Sequence, residues 1–121
     1  MTSPRRPDRI ALLEVRALLQ EIIEVREDGG RERYFSDDRH RWTLHRLWIA
    51  VGNEATAYAQ AVGADQYTVE PWNRLRQLRN HIAHQRLPDI DDEQIWRMTS
   101  LRPAELLDRV AALIERDLPT A

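Results

Sequence analysis

At 121 residues, with 18 basic and 20 acidic side chains, the chain has the size of one domain and a formal net charge of −2, which excludes a surface wholly coated for nucleic acid. The absence of Cys excludes disulfides and thiolate metal sites and fits a reducing cytoplasm. No apolar run is long enough to cross a bilayer, and none follows the charges of Thr2 to Arg9 as a signal segment would, so a soluble, unprocessed, cytoplasmic protein without membrane contact is expected.

Residues 1–7 hold two Pro and two Arg before any periodic pattern and read as a flexible arm, leaving 8–121 as one helical domain. Asp8 suits a helix N-cap, and Leu12, Val15, Leu19, Ile22 and Val25 follow at helical spacing to about Arg26. Leu13, Leu18 and Ile23 widen that stripe, which predicts cover from several neighbours or from a second subunit. Asp28-Gly29-Gly30 ends the helix, and Arg31 to Ser36 reads as a loop with Tyr34 and Phe35 tucked against the core.

Ser36 or Asp37 can cap a second, longest helix, with Trp42, Leu47 or Trp48, Val51, Ala55, Tyr58 and Val62 as its apolar series and Gly63 as its stop. Its small residues, Gly52 among them, predict close approach by another helix. After a connection over Ala64 to Glu70, Pro71 opens a third helix that reaches His84 or Gln85, because Leu87-Pro88 cannot easily continue it. Asp91 or Asp92 caps a short helix through Met98, and Thr99 or Ser100 with Pro103 starts the last one, carrying Leu106, Leu107, Val110, Leu113 and Ile114. The expected architecture is all-α, an antiparallel four-helix bundle with one short additional helix.

Charge is segregated within this pattern. From Pro71 to Pro88 there are four Arg (Arg74, Arg76, Arg79, Arg86) and no acid, whereas Asp89 to Glu93 holds four acids in five residues. Leu78 to Arg86 adds His81, His84 and Asn80, and on a helix Asn80 and His84 share a face with Arg79 beside them.

Arg79-Asn80, three residues and His84 resemble the Arg-x-x-x-x-His signature of HEPN domains in its Arg-Asn form. Val51-Gly52-Asn53-Glu54-Ala55 is similar to a Gly-Glu-Ala helix motif of that family, Pro71-Trp72 precedes the signature at a familiar distance, and Ile90-Asp91 with Ile95-Trp96 resembles the segment after it. Together these resemble the HepT-like branch, ribonuclease toxins paired with a minimal nucleotidyltransferase antitoxin of the MntA type, from Asp8 to about Leu118.

The resemblance implies a homodimer in which two sites face each other over RNA, with no cofactor. Arg79 would grip a phosphate, His84 would serve as acid or base, and Asn80, His81, Arg76 and Arg86 would support or bind the RNA. It also implies a Tyr two residues after the His as nucleotidyl acceptor. Here that position is Arg86, which leaves occlusion by the antitoxin, or modification at Tyr34, Tyr58 or Tyr67.

Other chemistries fit less well. His81 and His84 could hold a metal together, but no third ligand accompanies them, so no metal site is expected. Asp89, Asp91, Asp92 and Glu93 lack the spacing of a calcium loop and read as a helix cap with solvated charge. Glu54 could pair with an Arg of the third helix, and Trp42, Trp48, Trp72 and Trp96 read as core rather than as base-stacking platforms. The alternative to a nuclease is a non-catalytic HEPN module in which the same Arg and His bind a nucleotide or fix a dimer, as partner of a nucleotidyltransferase.

Overall fold

The computed structural model describes residues 6–65 and 67–116, and every regular element among them is helical. In chain order these are α1 (Pro7–Glu27), α2 (Gly30–Ser36), α3 (Asp38–Ala61), α4 (Trp72–His84), a 3-10 turn at Leu87–Asp89, α5 (Asp92–Leu101) and α6 (Pro103–Arg116). Most of the arm expected over residues 1–7 lies outside the described residues, as does the end of the expected domain at 117–121.

α1 starts one step earlier than its sequence suggests. Arg6 is the N-cap and Pro7 the first helical residue, so Asp8 lies inside the first turn rather than capping it. There Arg6 donates two hydrogen bonds to its carboxylate, at 3.2 and 2.5 Å, and holds the carboxyl below the ordinary range. Ala11, Leu12, Val15, Leu19 and Ile22 form the buried stripe.

The chain leaves α1 through Gly29 at φ 102°, a left-handed conformation that a side chain resists. A Cβ there would also stand 2.5 Å from Cβ of Arg33. The next segment, Gly30 to Ser36, is a helix and not the expected loop. α2 has only Tyr34 buried among seven residues, so it carries no apolar period to betray it. Phe35, expected in the core, is instead 40% exposed with the Arg31 guanidinium 4.5 Å over its ring.

Asp37 caps α3 as predicted, accepting from the backbone N–H groups of Arg39 and His40. α3 is the centre of the assembly, packed against α1, α2 and α4, while α6 lies on α1 and α5 on α6. Trp48 is buried in the core, where its indole N–H donates to Oγ1 of Thr99 at 2.9 Å. Thr99 in turn donates to the Ile95 carbonyl. Thr99 and Ser100 therefore belong to α5, which runs to Leu101, and the last helix starts only at Pro103. Trp72 is buried against Tyr58, and Trp96 is partly buried beside Tyr34. Trp42 departs from the core expectation at 39% exposure, as does Val62 at 44%.

α2, α3 and α5 are joined by a buried polar cluster. The Tyr34 hydroxyl donates to Oδ1 of Asp92 at 2.6 Å, and the same oxygen accepts from Nε2 of His45 at 2.8 Å. Asp92 is thus engaged, not solvated. Burial, and then the hydrogen bond to Asp92, push the Tyr34 hydroxyl well above tyrosine's ordinary 10.0. Because the folded state holds this proton more tightly than the unfolded chain, its contribution is complete below pH ~10 and is lost as pH rises beyond that.

Lys is absent and Arg keeps its charge, so tyrosines are the only side chains that titrate in that window. The thermal midpoint of the native chain is expected to fall between about pH 10 and 12, and Tyr34→Phe to show a shallower fall from a lower neutral-pH value. Melts followed by circular dichroism across that range check this; parallel slopes would contradict it.

Candidate functional site

The apolar face of α4, made of Trp72, Leu75, Leu78 and Ile82, is buried. Arg76, Arg79 and Asn80 are consequently turned to the boundary with α3, all half-buried. Together with Asn53 and Thr56 of α3 and Tyr67 of the preceding connection they line a cleft of about 310 Å³.

Gly52 makes this arrangement possible. A Cβ built on it would lie 2.4 Å from Cβ of Arg79 and 2.9 Å from the Leu75 carbonyl oxygen, so α4 crosses α3 where α3 has no side chain. The predicted close approach is found here. The Arg79 stem rests on that spot, and its Nε donates to Oδ1 of Asn53 at 2.7 Å while Nη1 donates to Oδ1 of Asn80, also at 2.7 Å. Of its five N–H donors, two are thereby engaged, and the rest remain for an anion.

Arg76 donates from Nη2 to Oδ1 of Asn73 at 2.8 Å and lies 4.6 Å over the Tyr67 ring, with a buried Nε that has no partner among the described residues. Two guanidiniums and no carboxylate line the cleft, so it can take a phosphate at close range without repulsion.

The remaining candidates are placed differently. His84 is the last residue of α4 and exposed, one turn beyond Asn80, and is not in the lining. Nε2 of His81 accepts the backbone N–H of Asp91 at 2.9 Å, which ties the end of α4 to the N-cap of α5 and commits that nitrogen to structure. Arg86 is exposed past the end of α4 and is not in the lining.

Asp91 caps α5 by accepting the Gln94 N–H, as the sequence indicates, and Glu93 is paired with Arg31. Glu54 is half-buried and forms no ion pair among the described residues; its neighbour Asn53 meets Arg79 instead. Asn53 and Thr56 are therefore the cleft residues that sequence reasoning missed, and Tyr67, expected only as a possible modification residue, joins them in the lining. The available signal was Gly52, since the residue following a helix-contact glycine and the one three further along flank the crossing.

Of the three tyrosines considered for modification, Tyr34 and Tyr58 are buried, whereas Tyr67 is 62% exposed at the cleft. Among the described residues, no helix is long and apolar enough to cross a membrane. Compared with family models, curated proteins and solved structures, the chain shows no significant match.

Proposed function

We propose that the chain is a HEPN-type, HepT-like toxin: a metal-independent endoribonuclease that works as a cytoplasmic homodimer and is restrained by a cognate minimal nucleotidyltransferase. In this reading α1, α3, α4 and α6 are the four main helices of an antiparallel bundle, and α4 carries the site. One observation supports it above the rest. Arg79 is held by two amide oxygens beside an acid-free cleft, with an exposed imidazole one turn beyond Asn80 on the same helix.

The reaction needs charge at the phosphorus and two proton transfers. The RNA 2′-oxygen attacks the adjacent phosphorus and loses its proton to a base, the bond from phosphorus to the 5′-oxygen breaks, and an acid protonates that oxygen. The products are a 2′,3′-cyclic phosphate and a free 5′-hydroxyl. Arg79 and Arg76 would stabilise the added negative charge on phosphorus, and His84 would carry a proton. One chain offers one exposed His84, so a second copy facing it would supply the other imidazole.

Purified protein is expected to cut single-stranded RNA in excess chelator, and Arg79→Ala to lower the rate by about 10²–10³-fold. Gel analysis with end-group mapping reads both. Products bearing a 3′-hydroxyl, or activity that needs added metal, would overturn the mechanism.

The exposed position of His84 outside the cleft favours a second reading, a module that binds RNA or a nucleotide without cutting. Saturable binding with no cleavage across many RNA substrates would decide for it. Should the nucleotidyltransferase modify a tyrosine, Tyr67 is the accessible acceptor, and mass spectrometry of the pair with ATP tests that assignment.

A further inference from the structure

The opposite side of α4 carries a second acid-free hollow that the cleavage reading does not use. α4 contributes Arg74, Gln77 and His81, α5 contributes Gln94 and Arg97, and Arg102 closes it at the junction with α6, over a floor that includes Leu78 and Met98. Its volume is about 510 Å³, within the range of small-ligand sites. It shares Arg74, Met98 and Arg102 with a neighbouring hollow of about 340 Å³, whose lining adds Arg109, Glu70 and Glu105.

The charge in this hollow is concentrated against the trend of the chain, whose net charge is −2. Neither Arg74 nor Arg97 has a side-chain hydrogen bond or ion pair among the described residues, while Arg102 is turned to Glu105. The nearby acids are occupied: Asp91 caps α5, and Glu93, which also senses Arg97, is hydrogen-bonded to Arg31. Two guanidiniums without a carboxylate partner, one from each helix, and a third at the junction that already holds Glu105 suit a ligand with several phosphates rather than one. The carboxamides of Gln77 and Gln94 each offer a donor and an acceptor, the complement of a base edge, and Met98 and Leu78 give it an apolar surface.

From this juxtaposition we propose that the hollow between α4 and α5 is a binding site for a nucleoside polyphosphate, separate from the Arg79 cleft. The site does not depend on RNA cleavage. The same phosphate chemistry could be presented by an RNA strand, and the confined volume favours the small molecule.

The full-length chain titrated with N-methylanthraniloyl-ATP and followed by fluorescence tests the site. Saturable binding is expected, displaced by ATP more readily than by tripolyphosphate or adenosine. Arg74→Gln and Arg97→Gln are each expected to weaken it by about tenfold or more, and Arg79→Gln to leave it unchanged. Both substituted residues are exposed, and equal melting temperatures establish that the variants fold. Absent binding, binding unchanged in both variants, or loss in Arg79→Gln alone would overturn the proposal. So would tripolyphosphate competing as well as ATP, or displacement by a short single-stranded RNA but not by ATP.

Discussion

RNA cleavage is expected to fall by about 10²–10⁴-fold when His84 is replaced by alanine, with the melting temperature unmoved. The stability half of this expectation follows from position. His84 is exposed at the end of α4 and makes no side-chain hydrogen bond among the described residues, so truncating it leaves no buried group unpaired and no cavity. The activity half follows from chemistry, since His40, His45 and His81 each have a ring nitrogen engaged in a hydrogen bond, whereas the His84 ring has none among the described residues.

His81→Ala provides the contrast. It removes the acceptor for the Asp91 N–H at the start of α5, so it is expected to lower stability, with any loss of cleavage following that loss of fold. Initial rates on a labelled single-stranded RNA, beside thermal melts of both variants, separate the two. Wild-type cleavage by the His84 variant would remove the imidazole from the mechanism. A fall in both quantities together would make His84 a structural residue.

Replacing Gly52 is expected to strike both fold and site. In Gly52→Ala the new methyl group would lie 2.4 Å from Cβ of Arg79 and 2.9 Å from the Leu75 carbonyl oxygen. Neither contact can be relieved by a side-chain rotation, because Cβ of Arg79 and the Leu75 carbonyl oxygen are both fixed by the α4 backbone. Alanine gains about 1 kcal/mol over glycine in helix propensity, against an overpacking cost of about 1–3 kcal/mol. The clash prevails, since relief requires α4 to move away from α3 as a unit. A net loss of up to about 2 kcal/mol is expected, read as a lower urea midpoint at unchanged slope.

Valine lacks the propensity gain and adds branching, so Gly52→Val is expected to lose more. The displaced Arg79 would lose its 2.7 Å bond to Asn53, so RNA binding should weaken even where the fold survives. A Gly52→Ala chain as stable as the parent, with unchanged RNA affinity, would show that the crossing can open without disturbing the site.

Helix positions were legible because burial repeats every three to four residues, and the stripes of α1 and α4 contain enough apolar side chains to define a face. The caps Asp37 and Asp91 were legible as well, since a carboxylate serving the N–H groups just ahead of it is a local event. α2 was not, for seven residues with one buried side chain contain no period. Asp8 and Thr99 lie inside helices for a related reason: a capping residue type also occurs there when another side chain occupies its oxygen, as the adjacent Arg6 does for Asp8 and the distant Trp48 for Thr99.

The sequence by itself determined an all-helical chain, most of the faces that turn inward, and an Arg-rich, acid-free stretch ending at Pro88. Tertiary structure alone decided which polar groups meet. Arg79 finds Asn53 rather than Glu54 across a separation of 26 residues, and Tyr34 finds Asp92 across 58. The same packing divided the Arg of α4 between two hollows and left His84 exposed in the lining of neither. Periodicity states which side of a helix is buried, but the depth and register of a crossing depend on both surfaces at once. Here both turn on the missing side chain of Gly52.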